Sequence, residues 1–91
     1  MGSDAAWSVV WNERVYDDLA GLDKMTAGKI IKRVERYLVK DPVSLGKPLT
    51  GRLAGILRYR YGDYRILYVM DYGARTITIL GVGHRREVYQ N

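Results

Sequence analysis

Ninety-one residues, 47% of them hydrophobic, are enough for one small domain with a core, near the lower limit at which chains fold without staples. The absence of cysteine excludes a disulfide framework and a cysteine-ligated zinc, and it fits a reducing cytoplasm. The net charge of +5 is unevenly placed: residues 1–46 balance seven Lys/Arg against seven Asp/Glu, whereas residues 47–91 carry eight Lys/Arg against Asp63, Asp71 and Glu87.

Met1-Gly2-Ser3 reads as an expression remnant and is left out of the fold expectation, which is a single domain over 1–91. No apolar run approaches the ~20 residues of a membrane span, and no signal-peptide pattern is visible. Ala6 to Trp11 is short, apolar and β-rich, and predicts a first strand. Asn12 is placed to cap a following helix, with Glu13 at its positive N-terminal end and Gly21 near its finish. Val15, Leu19 and Leu22 supply its apolar spacing. Thr26 is the expected cap of a longer helix. Ala27, Ile30, Ile31, Val34, Tyr37 and Leu38 form the apolar stripe of that helix, and Lys29, Lys32, Arg33, Glu35, Arg36 and Lys40 its other face. Asp41-Pro42 is expected to stop it, because a residue before proline avoids helical angles. Val43 to Gly55 reads as a loop punctuated by Gly46, Pro48, Gly51 and Gly55.

Ile56–Tyr61 and Tyr64–Asp71 are predicted to form a hairpin around Gly62-Asp63, since a two-residue Gly-x loop supplies the positive φ such turns require. That register sets Arg58 opposite Leu67, Tyr59 opposite Ile66, Arg60 opposite Arg65 and Tyr61 opposite Tyr64. Alternation then gathers Arg58, Arg60 and Arg65 on one face. Like charges directly opposite are destabilising, so a face that keeps them is suited to holding an anion. A further strand, Arg75 to Val82, follows the Tyr72-Gly73-Ala74 turn, and Gly83 to Tyr89 closes the chain. The expected class is α+β, in the order β-α-α-β-β-β: a mainly antiparallel sheet with two N-terminal helices packed on one face. Six of the eight tyrosines share the basic half of the chain. Arginines beside aromatic rings suit single-stranded nucleic acid, where cations meet phosphate and rings stack on bases.

The segments L-x-G-R-L-x-G (Leu49 to Gly55), R-Y-R, G-D-Y-R-I-L-Y (Gly62 to Tyr68) and G-H-R-R-E-V-Y (Gly83 to Tyr89) follow one another behind two N-terminal helices. In this order and spacing the chain resembles the RelE-type toxins of the RelE/ParE toxin–antitoxin superfamily. The resemblance implies a ribosome-dependent endoribonuclease that cuts mRNA in the decoding site, restrained by a RelB-like antitoxin. It implies catalytic roles for Arg58, Arg60, Arg65, Arg85 and Tyr89, and it implies neither a metal nor a cofactor. Two departures stand out. RelE-type chains carry lysine where this one has Arg58, Arg60 and His84, and the loop before the Tyr-Arg element is shorter here.

Metal-free RNA cleavage needs the 2′-hydroxyl to attack the adjacent phosphorus while charge grows on the phosphoryl oxygens. Arginine's planar fork suits that charge, but its permanent protonation makes it a poor base. Arg58, Arg60 and Arg65 therefore read as a phosphate clamp, against the plainer reading of solvated charge on a sheet. Arg85 is a candidate for the leaving-group side. Arg86 is a candidate RNA contact, or simple surface charge. Tyr89 is a candidate for base stacking or proton transfer, or an aromatic packed at the chain end. His84 is the one side chain with an ordinary pKa near neutrality and is a catalytic candidate, although a lone histidine is usually structural. Two other functions compete: a ParE-type toxin acting on DNA gyrase, and a non-catalytic RNA-binding module.

Overall fold

The computed structural model describes residues 6–84. A five-stranded sheet carries the helices on one face. In chain order the elements are β1 (Ser8–Trp11), α1 (Glu13–Ala20), α2 (Lys24–Arg36), a 3-10 turn at Leu38–Lys40, and α3 (Pro42–Leu45). They continue with β2 (Lys47–Pro48), a 3-10 turn at Gly51–Leu53, β3 (Leu57–Tyr61), β4 (Tyr64–Asp71) and β5 (Thr76–His84). The strands lie side by side in the order β1-β5-β4-β3-β2. Among the described residues no helix is long and apolar enough to cross a membrane.

The helix caps explain most of the boundaries. Asn12 caps α1 as expected, its Oδ1 accepting from the Arg14 amide at 2.9 Å. The cap of α2 is Asp23 rather than Thr26. The Thr26 amide and hydroxyl both donate to the Asp23 carboxylate, at 3.1 and 2.6 Å, so Thr26 lies inside the first turn. These bonds hold the Asp23 carboxyl below its usual range. α2 ends at Arg36, earlier than the sequence suggested, and a 3-10 turn carries the chain on. Asp41-Pro42 then starts a helical turn instead of ending one. Proline stands at the first helical position, where its missing N–H costs nothing, and the Asp41 carboxylate accepts from the Ser44 amide at 3.2 Å.

The hairpin forms around Gly62-Asp63 with the predicted pairs Arg58↔Leu67, Tyr59↔Ile66, Arg60↔Arg65 and Tyr61↔Tyr64, and Gly62 has φ +61°. The segment read as a loop from Val43 to Gly55 instead adds a short strand, with Lys47 opposite Arg58 and Pro48 opposite Leu57. At the far side β1 runs parallel to β5, from Ser8↔Thr76 to Trp11↔Ile79, so the sheet is mixed. β5 continues two residues past Val82, because Gly83 and His84 still pair with Arg65 and Tyr64.

The core lies between the helices and one sheet face. Val15 and Leu19 of α1 and Ile30 and Val34 of α2 meet Tyr59, Ile66, Tyr68, Ile77, Ile79 and Val82. Tyr37, at the edge of the apolar stripe, is instead 43% exposed. The β4–β5 register steps from Leu67↔Gly81 to Tyr68↔Ile79, which leaves Leu80 as an extra residue. That bulge returns Val82 to the core face and sets Gly81 and Gly83 on the other. Beyond Trp11, β1 no longer covers the β5 edge. Asp18 of α1 does so in part, its Oδ2 accepting from the Val82 amide at 3.0 Å.

Candidate active site

Tyr59 and Ile66 point into the core, so Arg58 and Arg60 on β3 and Arg65 on β4 project from the opposite face of the sheet. The predicted arginine cluster is present. A fourth cation joins it: Lys47 on β2 stands directly opposite Arg58, as Arg60 stands opposite Arg65. Two like-charged pairs thus sit side by side across three strands. They line a cleft of about 260 Å³ with Leu45 and Tyr59. The Nε and Nη1 atoms of Arg65 are buried, whereas Arg60 is exposed and donates from Nε to the Gly62 carbonyl at 3.2 Å. That bond holds the Arg60 side chain toward the hairpin tip.

Gly83 is the β5 partner of Arg65 and brings no side chain to this face. A cleft ringed by cations is suited to a phosphate, which each arginine can meet with two parallel N–H bonds. Lysine adds a cation that, unlike arginine, can give up a proton.

His84 is not brought to this face. It pairs with Tyr64, which packs against the core, and the two rings meet edge to face at 5.9 Å and 77°. One residue of alternation separates it from the side of Gly83, and that suffices to turn it away. Arg85, Arg86 and Tyr89 lie outside the described residues.

Lys47 was the site residue missed from sequence. Its only signal was the neighbouring Pro48, which is tolerated on edge strands, and lysine is itself common there. A two-residue strand has no periodicity to detect. Its position depends on Gly46, which is buried: a Cβ there would fall on the Tyr68 hydroxyl and lie 2.8 Å from Tyr68 Cζ and 3.2 Å from Leu57 Cβ. The Tyr68 hydroxyl donates to the Pro42 carbonyl at 2.6 Å and fastens the segment before β2 to the middle of β4. Burial pushes the Tyr68 phenol well above its ordinary pKa of 10.0.

The family model described as ParE toxin of type II toxin-antitoxin system, parDE, matches residues 9–89. The chain belongs to the RelE/ParE superfamily of type II toxins. Within that superfamily it is of the RelE type. It is 43% identical to Toxin RelG of Mycobacterium tuberculosis over 73 residues, covering 80% of this chain and 84% of the relative. Against Toxin RelE of the same organism it is 31% identical over 90 residues, covering 99% and 93%. The crystal structure of the toxin–antitoxin complex RelBE2 from Mycobacterium tuberculosis contains a chain that superposes with a TM-score of 0.85 at 32% identity, covering 89% of this chain and 100% of that one. The α+β sheet with helices on one face is therefore the RelE fold.

Proposed function

We propose that this RelE-type toxin is a ribosome-dependent endoribonuclease that cuts mRNA in the decoding site and is held inactive in the cytoplasm by a RelB-like antitoxin. The observation that carries this reading is the face shared by Lys47, Arg58, Arg60 and Arg65. In the proposed reaction the 2′-oxygen forms a bond to phosphorus as the bond to the 5′-oxygen breaks. The 2′-hydroxyl loses a proton, the 5′-oxygen gains one, and the products are a 2′,3′-cyclic phosphate and a 5′-hydroxyl. Arg58 and Arg65 take the phosphoryl oxygens, where donors preorganised for developing charge act most strongly. Arg60 fixes the neighbouring phosphate from the hairpin tip. By resemblance Arg85 and Tyr89 serve the leaving-group side and the base stack, with Arg86 a peripheral RNA contact.

The antitoxin proposal draws on the RelBE2 complex, in which the similar chain is paired with its antitoxin. A partly disordered acidic segment suits a basic partner, because long-range attraction speeds its capture.

The deciding experiment maps cleavage of a defined mRNA on purified ribosomes. Codon-register cuts bearing 5′-hydroxyl ends, absent from naked mRNA, are expected. Efficient cutting of naked RNA would overturn ribosome dependence. The ParE description of the matching family model favours a second reading, gyrase inhibition. Loss of supercoiling activity in a gyrase assay, with intact mRNA, would establish that reading instead.

A further inference from the structure

Neutralising phosphoryl charge and moving a proton are different tasks, and the cleft divides them between two kinds of side chain. Its lining is Leu45, Lys47, Arg58, Tyr59, Arg60 and Arg65. A guanidinium stays protonated in proteins, so the three arginines can hold charge but cannot take a proton. Tyr59 is buried, and burial pushes its phenol above the ordinary value, so it keeps its proton. Leu45 has nothing to ionise, and no carboxylate stands among these residues. His84, the side chain type best suited to proton transfer near neutrality, is turned to the other sheet face against Tyr64. Lys47 is therefore the one described residue of the cleft whose side-chain nitrogen can both lose and accept a proton. Pairing with Arg58 fixes its backbone, and the Tyr68 bond to the Pro42 carbonyl holds the segment before it. Its side chain is exposed, so a proton taken there passes on to water.

We propose that Lys47 is the general base of the cleft, its neutral amine taking the proton of the 2′-hydroxyl that attacks phosphorus. This rests on the nuclease reading and supplies a residue for a step that reading left unassigned. Arg58 on β3 and Arg65 on β4 hold the phosphoryl oxygens, whereas Lys47 on β2 stands at the sheet edge, on one flank of that clamp. An in-line displacement sets the attacking and leaving oxygens on opposite sides of phosphorus, so a group on one flank serves one of them. The proton passes from the 2′-oxygen to Nζ as the bond from that oxygen to phosphorus forms. The bond to the 5′-oxygen breaks, and that oxygen takes a proton from water. The resulting ammonium then releases its proton to solvent, which restores the base. The ionisable groups sharing the cleft with Lys47 are Arg58, Tyr59 and Arg60 of β3 and Arg65 of β4, while α3 brings only Leu45.

The chain contains no cysteine, so Lys47→Cys places a single thiol in the cleft. Alkylation with 2-bromoethylamine rebuilds a lysine-like primary amine that is a weaker base. A thiosulfonate reagent bearing a trimethylammonium group attaches instead a cation with no proton to exchange. Both derivatives, Lys47→Ala and the wild type are compared by single-turnover cleavage of a defined mRNA on purified ribosomes across pH, with ribosome affinity measured beside it. Lys47→Ala should cut roughly 10²-fold or more slowly, the range of a positioned acid–base group, while affinity changes far less. The aminoethylated chain should regain cleavage, with the limb that rises with pH displaced to lower pH. The trimethylammonium derivative should match wild-type affinity and stay slow. Recovery of the rate by that derivative would overturn the proposal and make Lys47 a purely electrostatic contact. So would wild-type cleavage by Lys47→Ala, or an aminoethylated chain that stays slow or keeps the wild-type pH profile. These outcomes strike Lys47 alone, whereas a wild-type chain that leaves mRNA intact on ribosomes would refute the nuclease reading and the proposal together.

Discussion

Arg65 and Lys47 occupy opposite ends of the same cleft and should fail differently. Arg65 is partly buried in mid-sheet, with neighbours on β3 and β5 fixing its backbone, so its fork is positioned before RNA arrives. If it meets the phosphoryl oxygens as charge builds, Arg65→Ala should lower single-turnover cleavage on ribosomes by roughly 10²-fold or more, with ribosome affinity changed far less. A loss confined to affinity would remove it from the chemistry. Lys47 is exposed on an edge strand. Lys47→Arg tests whether charge or proton release matters: retained cleavage means electrostatics alone, and loss of rate with retained affinity means proton transfer. At Gly28, inside α2, an added Cβ would meet nothing within 4 Å. Gly28→Ala should therefore raise stability by about 0.5–1 kcal/mol, read from a denaturant midpoint.

Between the elements, Tyr68 links α3 to the sheet and thereby sets β2. Gly46→Ala puts a methyl group on the Tyr68 ring and Leu57, an overpacking that should cost about 1–3 kcal/mol. Because Lys47 is the next residue, the same change should disturb the cleft, and cleavage should fall by more than the loss of folded protein explains. Tyr68→Phe keeps the shape and removes the bond to the Pro42 carbonyl, leaving a buried acceptor unmet at a cost of about 1–3 kcal/mol. It should also alter the alkaline limb of the stability curve. The Tyr68 phenol is raised in the folded chain, so its contribution is full below the unfolded value of 10.0 and is lost as pH climbs from there toward the folded value. Chemical denaturation across that range should show wild type losing stability and the phenylalanine variant losing less.

At the scale of the molecule, the helices do more than cover a hydrophobic face. Asp18 reaches from α1 to the Val82 amide at the point where β1 has stopped pairing with β5. Asp18→Ala leaves a half-buried N–H without its charged acceptor and should cost about 1.5–3 kcal/mol, whereas Asp18→Asn should keep most of the stability. Because Gly83, the neighbour of Val82, pairs with Arg65, the alanine variant should also loosen the backbone beside Arg65. Amide exchange at Val82 and Gly83 is the direct measure. Faster exchange there with unchanged exchange in β1 is the expected result.

The hairpin, its register and the shared face of Arg58, Arg60 and Arg65 were legible in the sequence, because Gly62-Asp63 fixes the loop and a period of two fixes the faces. The two helices and most of the core followed equally from local pattern and caps. The rest depended on contacts between residues far apart in the chain. β2 exists because Gly46 lets Tyr68 close over Pro42, bringing Lys47 beside Arg58, and no periodicity in two residues reveals that. The α2 cap was a local exception: the Asp23 carboxylate accepts from both the Thr26 amide and the Thr26 hydroxyl, which makes Thr26 a first-turn residue rather than the cap. The bulge at Leu80 put Gly83 against Arg65 and His84 against Tyr64. Alternation read along the strand alone assigns faces, but one extra residue reverses every assignment after it, and only the pairing with β4 decides where that residue falls.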